Sequence, residues 1–390
     1  MDNVKEIAKK YNDYVIEKRR YFHKNPEPSN QEFNTSKIVQ EELKKLNIPF
    51  EVVAETGVIA RISGKNKGKT VLLRADMDAL EVCETNNVEY KSQNDGYMHA
   101  CGHDGHTAML LGAAHVLNDI KDELNGDVIL LFQKAEETGT GAVDMIEESN
   151  ILDEIDAAFG IHLWQGVEAG KVSLEPGPRM AAADFFKIKI HGKAGHGSMP
   201  QDTIDVAVVA SSIVMNLQHL VSRNTNPLDS LVVTIGKMDV GTRFNVIAGE
   251  GVIEGTSRSF SEDVYNSIPE KLNRVVNGVC SAYGATGEVE LYRATPPLYN
   301  DEEISNILRE SQTKLYGEDS VVLFEKTTGG EDFAYFTRKV PGAIAFVGIR
   351  NDEKGINSPH HSGTFDMDEK ALEIGVSLYS QFALDYLNKK

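Results

Sequence analysis

Ten residues limit what this chain can become more than any others. Positions 98–107 read Met-His-Ala-Cys-Gly-His-Asp-Gly-His-Thr, and Ala-Met-Leu-Leu-Gly-Ala-Ala follows at 108–114. Thiol, imidazole and carboxylate side chains are crowded ahead of an apolar run suited to a buried helix. Cys101 and His103 are two apart. In an extended segment alternate side chains point the same way, so both can face one ion. Gly102 and Gly105 allow a sharp turn around them. Thr107 is the expected N-cap of the helix. The stretch therefore predicts a ligand loop that opens a helix.

Length sets the frame for that loop. A chain of 390 residues exceeds one ordinary core, which predicts two domains. Lys plus Arg number 40 against 59 Asp plus Glu, a net charge of −19 that argues against nucleic-acid or anionic-membrane partners. The three cysteines, Cys83, Cys101 and Cys280, form no disulfide framework. No apolar run reaches the ~18 residues of a membrane span. Residues 1–10 are polar, without the apolar centre of a signal peptide, so a cytoplasmic protein is expected.

Taken in order, the chain alternates helices and buried strands. Helical spacing covers 4–23 and 36–46. Strands are expected at 58–62 and 70–73, the second running into Asp76 and Asp78. Another strand at 127–133 runs into Glu136 and Glu137, and one at 157–163 carries His162. Acids and histidines at the ends of buried strands are typical of sites in α/β folds.

From 184 the pattern changes. Strands at 185–191, 231–238, 251–258 and 287–294 and helices at 204–221 and 261–282 give the order β-α-β-β-α-β, a split ferredoxin-like arrangement. This predicts an inserted domain at 183–295, within a first domain of 1–182 and 296–390. The last section returns to α/β alternation, with a helix at 302–316, strands at 321–324 and 343–347, and a closing helix at 369–387. Its loop at 358–365 holds the pair His360-His361.

Collected, the metal-type residues are Cys101, His103, Glu136 or Glu137, His162, and His360 or His361. Zinc-like ions take thiolate, imidazole and carboxylate together. Five such residues exceed one closed four-ligand site and suit two ions with a shared ligand and an activated water. The spare glutamate then suits a general base.

These motifs resemble the amidohydrolase branch of the aminoacylase/carboxypeptidase metallopeptidase family. That branch holds indole-acetyl-amino-acid hydrolases, hippurate hydrolases, N-acetyl-diaminopimelate deacetylases and thermostable carboxypeptidases. The resemblance runs through Arg74-Ala75-Asp76-Met77-Asp78-Ala79-Leu80, residues 99–107, 133–139 and 160–162, Gly195-His196-Gly197, Asn245-Val246-Ile247, Gly330-Glu331-Asp332-Phe333 and 361–365. It implies a metal-binding α/β/α domain with an inserted ferredoxin-like lid. It implies two divalent ions, zinc or manganese before cobalt or nickel, on Cys101, His103, Glu137, His162 and His361. Cys101 takes the bridging position held by an aspartate in other branches. Glu136 is the implied base, and His196 and Asn245 reach the site from the lid. His196 is expected to cross to a partner subunit, which implies a homodimer through the lid. Asp76 and Asp78 are expected to orient ligands, and His99 and His106 to be structural.

The implied substrate is a small N-acyl amino acid or short peptide. Arg258 is a candidate for its carboxylate. A dipeptidase, or a metal-binding protein with lost catalysis, are the alternatives. Two departures from the family pattern, Glu81 after Leu80 and Gln201 after Pro200, bear on pocket shape and not on ligands.

Overall fold

The computed structural model describes residues 3–389. The chain divides into two compact units. One is built from the chain up to Gly177, from Tyr299–Glu325 and from Tyr335 onward; the other from Pro178–Leu298 and Lys326–Ala334.

The first unit is organised on a seven-stranded mixed sheet. Its order across the sheet is Phe50–Val53, Gly57–Ser63, Gly126–Gln133, Lys69–Asp76, Ala157–Glu168, Gly342–Arg350 and Val172–Ser173. The four strands Lys69–Asp76, Gly126–Gln133, Ala157–Glu168 and Gly342–Arg350 are mutually parallel. They are nearly continuous apolar runs because they are buried. Register places Asp76 opposite Gln133 and Phe346 opposite His162. Parallel strands end on the same edge, so Asp76, Asp78, Glu136 and Glu137 emerge together.

Helices Asn12–Lys24, His103–Asp119 and Lys370–Asn388 pack with this sheet in one core. Tyr379, on the last of them, donates its hydroxyl to the carbonyl of Arg74 at 2.6 Å and accepts the Ile161 N–H at 3.1 Å. The closing helix is thereby tied to two site-bearing strands. The three helices meet at Gly112, where an added Cβ would lie 2.6 Å from Val15 and 2.7 Å from Val376. Gly112→Ala should therefore cost about 1–3 kcal/mol despite alanine's better helix propensity. Urea denaturation checks this; a variant as stable as wild type would mean the helices yield freely.

Several expectations are corrected by tertiary contacts. The helix over 4–23 is two helices, Val4–Lys10 and Asn12–Lys24, broken at Tyr11. Tyr11 turns its hydroxyl to Asp119 at 2.7 Å. Residues 321–324 form no strand; only Val321 makes a single bridge, to Val172. Phe50–Val53 is an edge strand paired with Gly57–Ser63, and its four residues are too few to show a period in the sequence. Lys326–Ala334 falls with the second unit, not the first. The Ala181 N–H donates to the carbonyls of Thr327 and Gly329 at 3.2 and 2.9 Å, which ties it there.

The second unit has a four-stranded antiparallel sheet in the order Leu231–Val240, Glu250–Ser259, Ala182–His191, Thr286–Thr295. Helices Val206–Arg223 and Glu262–Tyr283 share a core with one face of it, through Ile213, Leu217, Ile268 and Val276 against Ile188, Ile190 and Ile253. Ser261 caps the second helix as expected, accepting the Val264 N–H. Phe185 and Tyr292, cross-strand neighbours, are half-exposed on the other face. No helix among the described residues is long and apolar enough to cross a membrane.

Tyrosine hydroxyls buried in the first unit give it an alkaline limit. Burial, then Asp119, pushes Tyr11 up to about 12; burial, against Arg19 and with Asp366, does so for Tyr90, and burial for Tyr386. The usual value is 10. A raised folded value means the stabilising contribution is whole below pH 10 and is lost as the pH rises through about 12. Melting temperature should hold from pH 8 to 9.5 and fall above 10, and the fall should be shallower in Tyr90→Phe. A fall equally steep in Tyr90→Phe would contradict this.

Candidate metal centre

The ligand loop is a turn, not an extended segment. Helix His103–Asp119 begins at His103 itself, and Gly102 precedes it in the left-handed region at φ 91°. This turn, not strand alternation, sets Cys101 and His103 beside each other. Thr107 is not the N-cap; it lies inside the helix and donates its hydroxyl to the Asp76 carbonyl at 2.8 Å.

Six metal-type side chains converge within the first unit. Cys101, His103 and His162 present ligand atoms within 4.8 Å of one another, as do Cys101, Glu137 and His361, and His103, Glu136 and Glu137. Cys101 Sγ lies 3.6 Å from His162 Nε2. Glu137 Oε1 lies 3.8 Å from His103 Nε2 and 3.7 Å from His361 Nε2. Cys101, His103 and Glu137 each belong to two of these groups.

The other ring nitrogens of His103 and His162 are already engaged. His103 donates Nδ1–H to the Asp78 carbonyl at 2.9 Å, with the Asp78 carboxylate at 3.3 Å. His162 donates Nδ1–H to the Leu163 carbonyl at 2.8 Å. Each imidazole is thus left with Nε2 facing the centre. His103 Nε2 and Glu137 Oε1 are inaccessible to water and have no hydrogen-bond partner. Orphaned buried atoms are costly in a protein unless something binds them.

Electrostatics point the same way. Burial, then Glu137, pushes the Cys101 thiol well up, and burial pushes Glu137 up to about 7 against the pull of His103. Burial and the neighbouring His106 hold His162 well down. Against burial, Asp76 and then Asp78 hold His103 well up, so the acids packed around the cluster favour a cation at its centre. Soft thiolate, imidazole and carboxylate donors fit a zinc-like divalent ion.

The two late histidines separate clearly. His361 sits in the left-handed region at φ 62°, held by its N–H to the Ala100 carbonyl at 2.8 Å, and its ring meets Glu137. His360 turns away, donating to the Leu163 carbonyl at 3.0 Å and packing on Trp164 with ring centroids 4.7 Å apart. Asp78 orients His103 as expected. It also accepts the N–H groups of Glu136 and Glu137 at 3.1 and 3.0 Å. Asp76 serves His106 more than any ligand, at 2.6 Å, while Arg74 holds its other oxygen at 2.5 Å. His106 in turn accepts the Leu163 N–H at 2.8 Å. His99 is buried without a partner on either ring nitrogen.

His196 and Asn245 lie in the second unit. Val246 pairs with His196, and the Asn245 carbonyl accepts the Gly197 N–H at 3.0 Å. His196 is exposed, with Nδ1 accepting from the Ser198 N–H at 3.1 Å and from its hydroxyl at 2.8 Å. Arg258, half-buried, donates to the Ser257 carbonyl at 2.9 Å and lies 5.8 Å from the centroid of the Phe185 ring.

The family model for peptidase family M20/M25/M40 matches residues 72–385. The chain belongs to that family. Thermostable carboxypeptidase 2 of Saccharolobus solfataricus is 40% identical over 100% of this chain and 99% of its own. N-acetyl-L-cysteine deacetylase of Bacillus subtilis is 40% identical over 95% of this chain and 88% of its own. The crystal structure of Bacillus subtilis YXEP, described as a dinuclear metal-binding peptidase of family M20, superposes with a TM-score of 0.86. It is 34% identical and covers 98% of this chain and 100% of its own. As an M20-family member the protein is a metal-dependent hydrolase of amide or peptide bonds.

Sequence reasoning missed what surrounds the M20 centre. Ser29 donates to Asp78 at 2.6 Å, and Glu32 accepts the Ala135 N–H at 2.8 Å. Arg19 and His23 bind Asp104, the residue after His103, at 2.9 and 2.8 Å. Residues 23–28 show only a helix end in the sequence. Two charged residues one turn apart on a helix were the available signal for Arg19 and His23.

Proposed function

We propose that the protein hydrolyses the amide bond of N-acyl amino acids, or the C-terminal peptide bond of short peptides. Cys101, His103, Glu137, His162 and His361 would hold two divalent ions, with Cys101 shared and zinc or manganese favoured over cobalt or nickel. When bound, such a pair lowers the pKa of a water and polarises the scissile carbonyl. The orphaned, mutually facing His103 Nε2 and Glu137 Oε1 carry this reading.

Glu136 shares the strand-end turn with Glu137 and is half-buried beside it. It acts as the base: it takes a proton from the attacking water and passes it to the leaving nitrogen as the C–N bond breaks. Water's oxygen ends on the acyl carbon and its protons on the new acid and amine, so the step balances. Asp78 keeps His103 in the tautomer that leaves Nε2 free to bind a metal.

The second unit, with residues 183–295 at its heart, is read as a ferredoxin-like lid. His196 supports this role. With Nδ1 accepting from Ser198, its proton is on Nε2, ready to donate to the developing oxyanion. Asn245 stands on the neighbouring segment as a second polar group. Leu231–Val240 is an edge strand of its sheet, and Val208 and Met215 are exposed one above the other on helix Val206–Arg223. These features support a homodimer through the lid. Three unpaired cysteines suit a cytoplasmic enzyme.

The substrate class draws on the carboxypeptidase and deacetylase relatives. Chelator-treated protein should lose turnover and regain it with Mn²⁺, Zn²⁺, Co²⁺ or Ni²⁺, binding about two ions per subunit. The assay panel is N-acetyl, N-benzoyl and N-indolylacetyl amino acids, blocked peptides and unblocked dipeptides. Preference for unblocked dipeptides would replace the reading with a dipeptidase. Full metal binding without turnover on any substrate would replace it with a protein whose catalysis is lost.

A further inference from the structure

The turn that carries Glu136 and Glu137 is held from behind by two buried carboxylates. Three successive N–H groups end on them: Ala135 on Glu32 Oε1 at 2.8 Å, Glu136 on Asp78 Oδ1 at 3.1 Å and Glu137 on Asp78 Oδ2 at 3.0 Å. Glu32 is fully buried. Its Oε1 also accepts the Asn30 N–H at 2.9 Å, and its Oε2 accepts the Thr56 hydroxyl at 2.8 Å.

What this grip holds is an unusual backbone. Ala135 has φ 50° and ψ 42°, the left-handed conformation that glycine or asparagine adopts readily and alanine does not. On its other side the Ala135 carbonyl accepts the Thr138 hydroxyl at 3.1 Å and the Gly141 N–H at 3.2 Å, so Glu32 supplies the hold on the N–H side. The conformation reverses the chain at the end of strand Gly126–Gln133 and sets the direction in which Glu136 leaves the sheet. A strained residue persists only where its surroundings over-determine it.

We propose that Glu32 is a positioning residue for the hydrolytic reaction: by accepting the Ala135 N–H it holds Ala135 left-handed and so aims Glu136 at the reacting water. Glu32 touches neither substrate nor metal. The inference rests on the reading of Glu136 as the base. It assigns a task to a segment, Ser29 to Glu32, far from every strand-end motif.

The grip needs an acceptor oxygen rather than a charge. Glu32→Leu removes the acceptor and should lower kcat roughly 10–100-fold, the range for residues that orient catalytic groups, with KM little changed. Glu32→Gln keeps an oxygen for Ala135 and Asn30 and turns its amide to the Thr56 hydroxyl, so kcat should stay within about 3-fold of wild type. Adding Ala135→Gly to Glu32→Leu should restore most of the loss, because glycine takes the left-handed conformation without being forced.

That rescue is the deciding measurement, since repairing backbone preference at 135 does nothing for a general loss of packing at 32. Wild-type kcat in Glu32→Leu overturns the proposal, as does a loss that Ala135→Gly leaves untouched. If Glu32→Leu does not fold, Glu32→Met, which keeps the length of the side chain but offers Ala135 no acceptor oxygen, is measured with the same rescue, and the same two results overturn the proposal. Glu136→Gln is measured alongside. If it turns over at the wild-type rate, the base assignment fails and takes this inference with it. If it is inactive while Glu32→Leu behaves as wild type, only the role of Glu32 is lost.

Discussion

Glu136→Gln is expected to lower kcat by about 10²- to 10⁴-fold while the protein still folds and still binds its metals. Glutamine fills the same space but cannot take up a proton. Glu136 is half-buried on the same short turn as Glu137, so the substitution needs no backbone change. The contrast with its neighbour makes the test specific. Glu137→Gln alters the carboxylate that faces both His103 and His361, and it should reduce metal stoichiometry as well as rate. Metal content by elemental analysis and kcat on the best N-acyl amino acid separate the two. Wild-type turnover in Glu136→Gln, or metal loss equal to that of Glu137→Gln, would exchange the roles given to the pair.

Arg19→Ala should be the most damaging single change to stability in the first unit, at about 3–5 kcal/mol. Arg19 is fully buried and reaches three carboxylates: Asp104 at 2.9 Å, Asp366 at 3.0 Å and Glu369 at 3.4 Å. Its guanidinium carbon lies 4.6 Å from the Tyr90 ring centroid. Asp104, also fully buried, is kept ionised well below the usual carboxylate range despite burial, chiefly by Arg19 and then by His23. Removing the guanidinium leaves that charge in the interior with the imidazoles of His23 and His99 to meet it. Arg19→Lys should recover little, because an ammonium cannot serve three acceptors with one planar fork. The measurement is the urea midpoint of each variant at pH 7.5. A loss under about 1 kcal/mol would mean that water enters and takes over the solvation of Asp104.

The damage should reach the metal centre. Asp104 follows His103 directly, and Asp366 lies in the stretch that follows His361. Arg19 therefore pins two segments, far apart in the chain, that carry proposed ligands.

How much of the fold and the centre is legible in the sequence depends on the range of the interaction. Buried parallel strands announce themselves as apolar runs, and the residues just past them, Asp78, Glu136 and Glu137, could be picked out because a strand's end is a local event. Cys101 and His103 were legible as neighbours, although the geometry that joins them is the left-handed Gly102 and not an extended segment. The alternating burial of Ala182–His191 showed a sheet with one covered face. Tyr11, Thr107 and residues 321–324 were misread for one shared reason. Their helix, cap or strand character was overridden by partners that spacing does not reveal: Asp119, the Asp76 carbonyl, and the single bridge to Val172.

The sequence by itself determined the kinds of side chain, their order and the strand ends from which they project. Those follow from apolar periodicity and from residue chemistry, both carried within a few positions. Only the tertiary structure decided that Asp76 serves His106, that Glu32 grips the Ala135 N–H and that Arg19 reaches Asp104, Asp366 and Glu369. Each of those outcomes is a hydrogen bond or ion pair between segments tens to hundreds of residues apart. Such a pairing has no period in the sequence; it exists only once the sheet has brought its partners to the same edge.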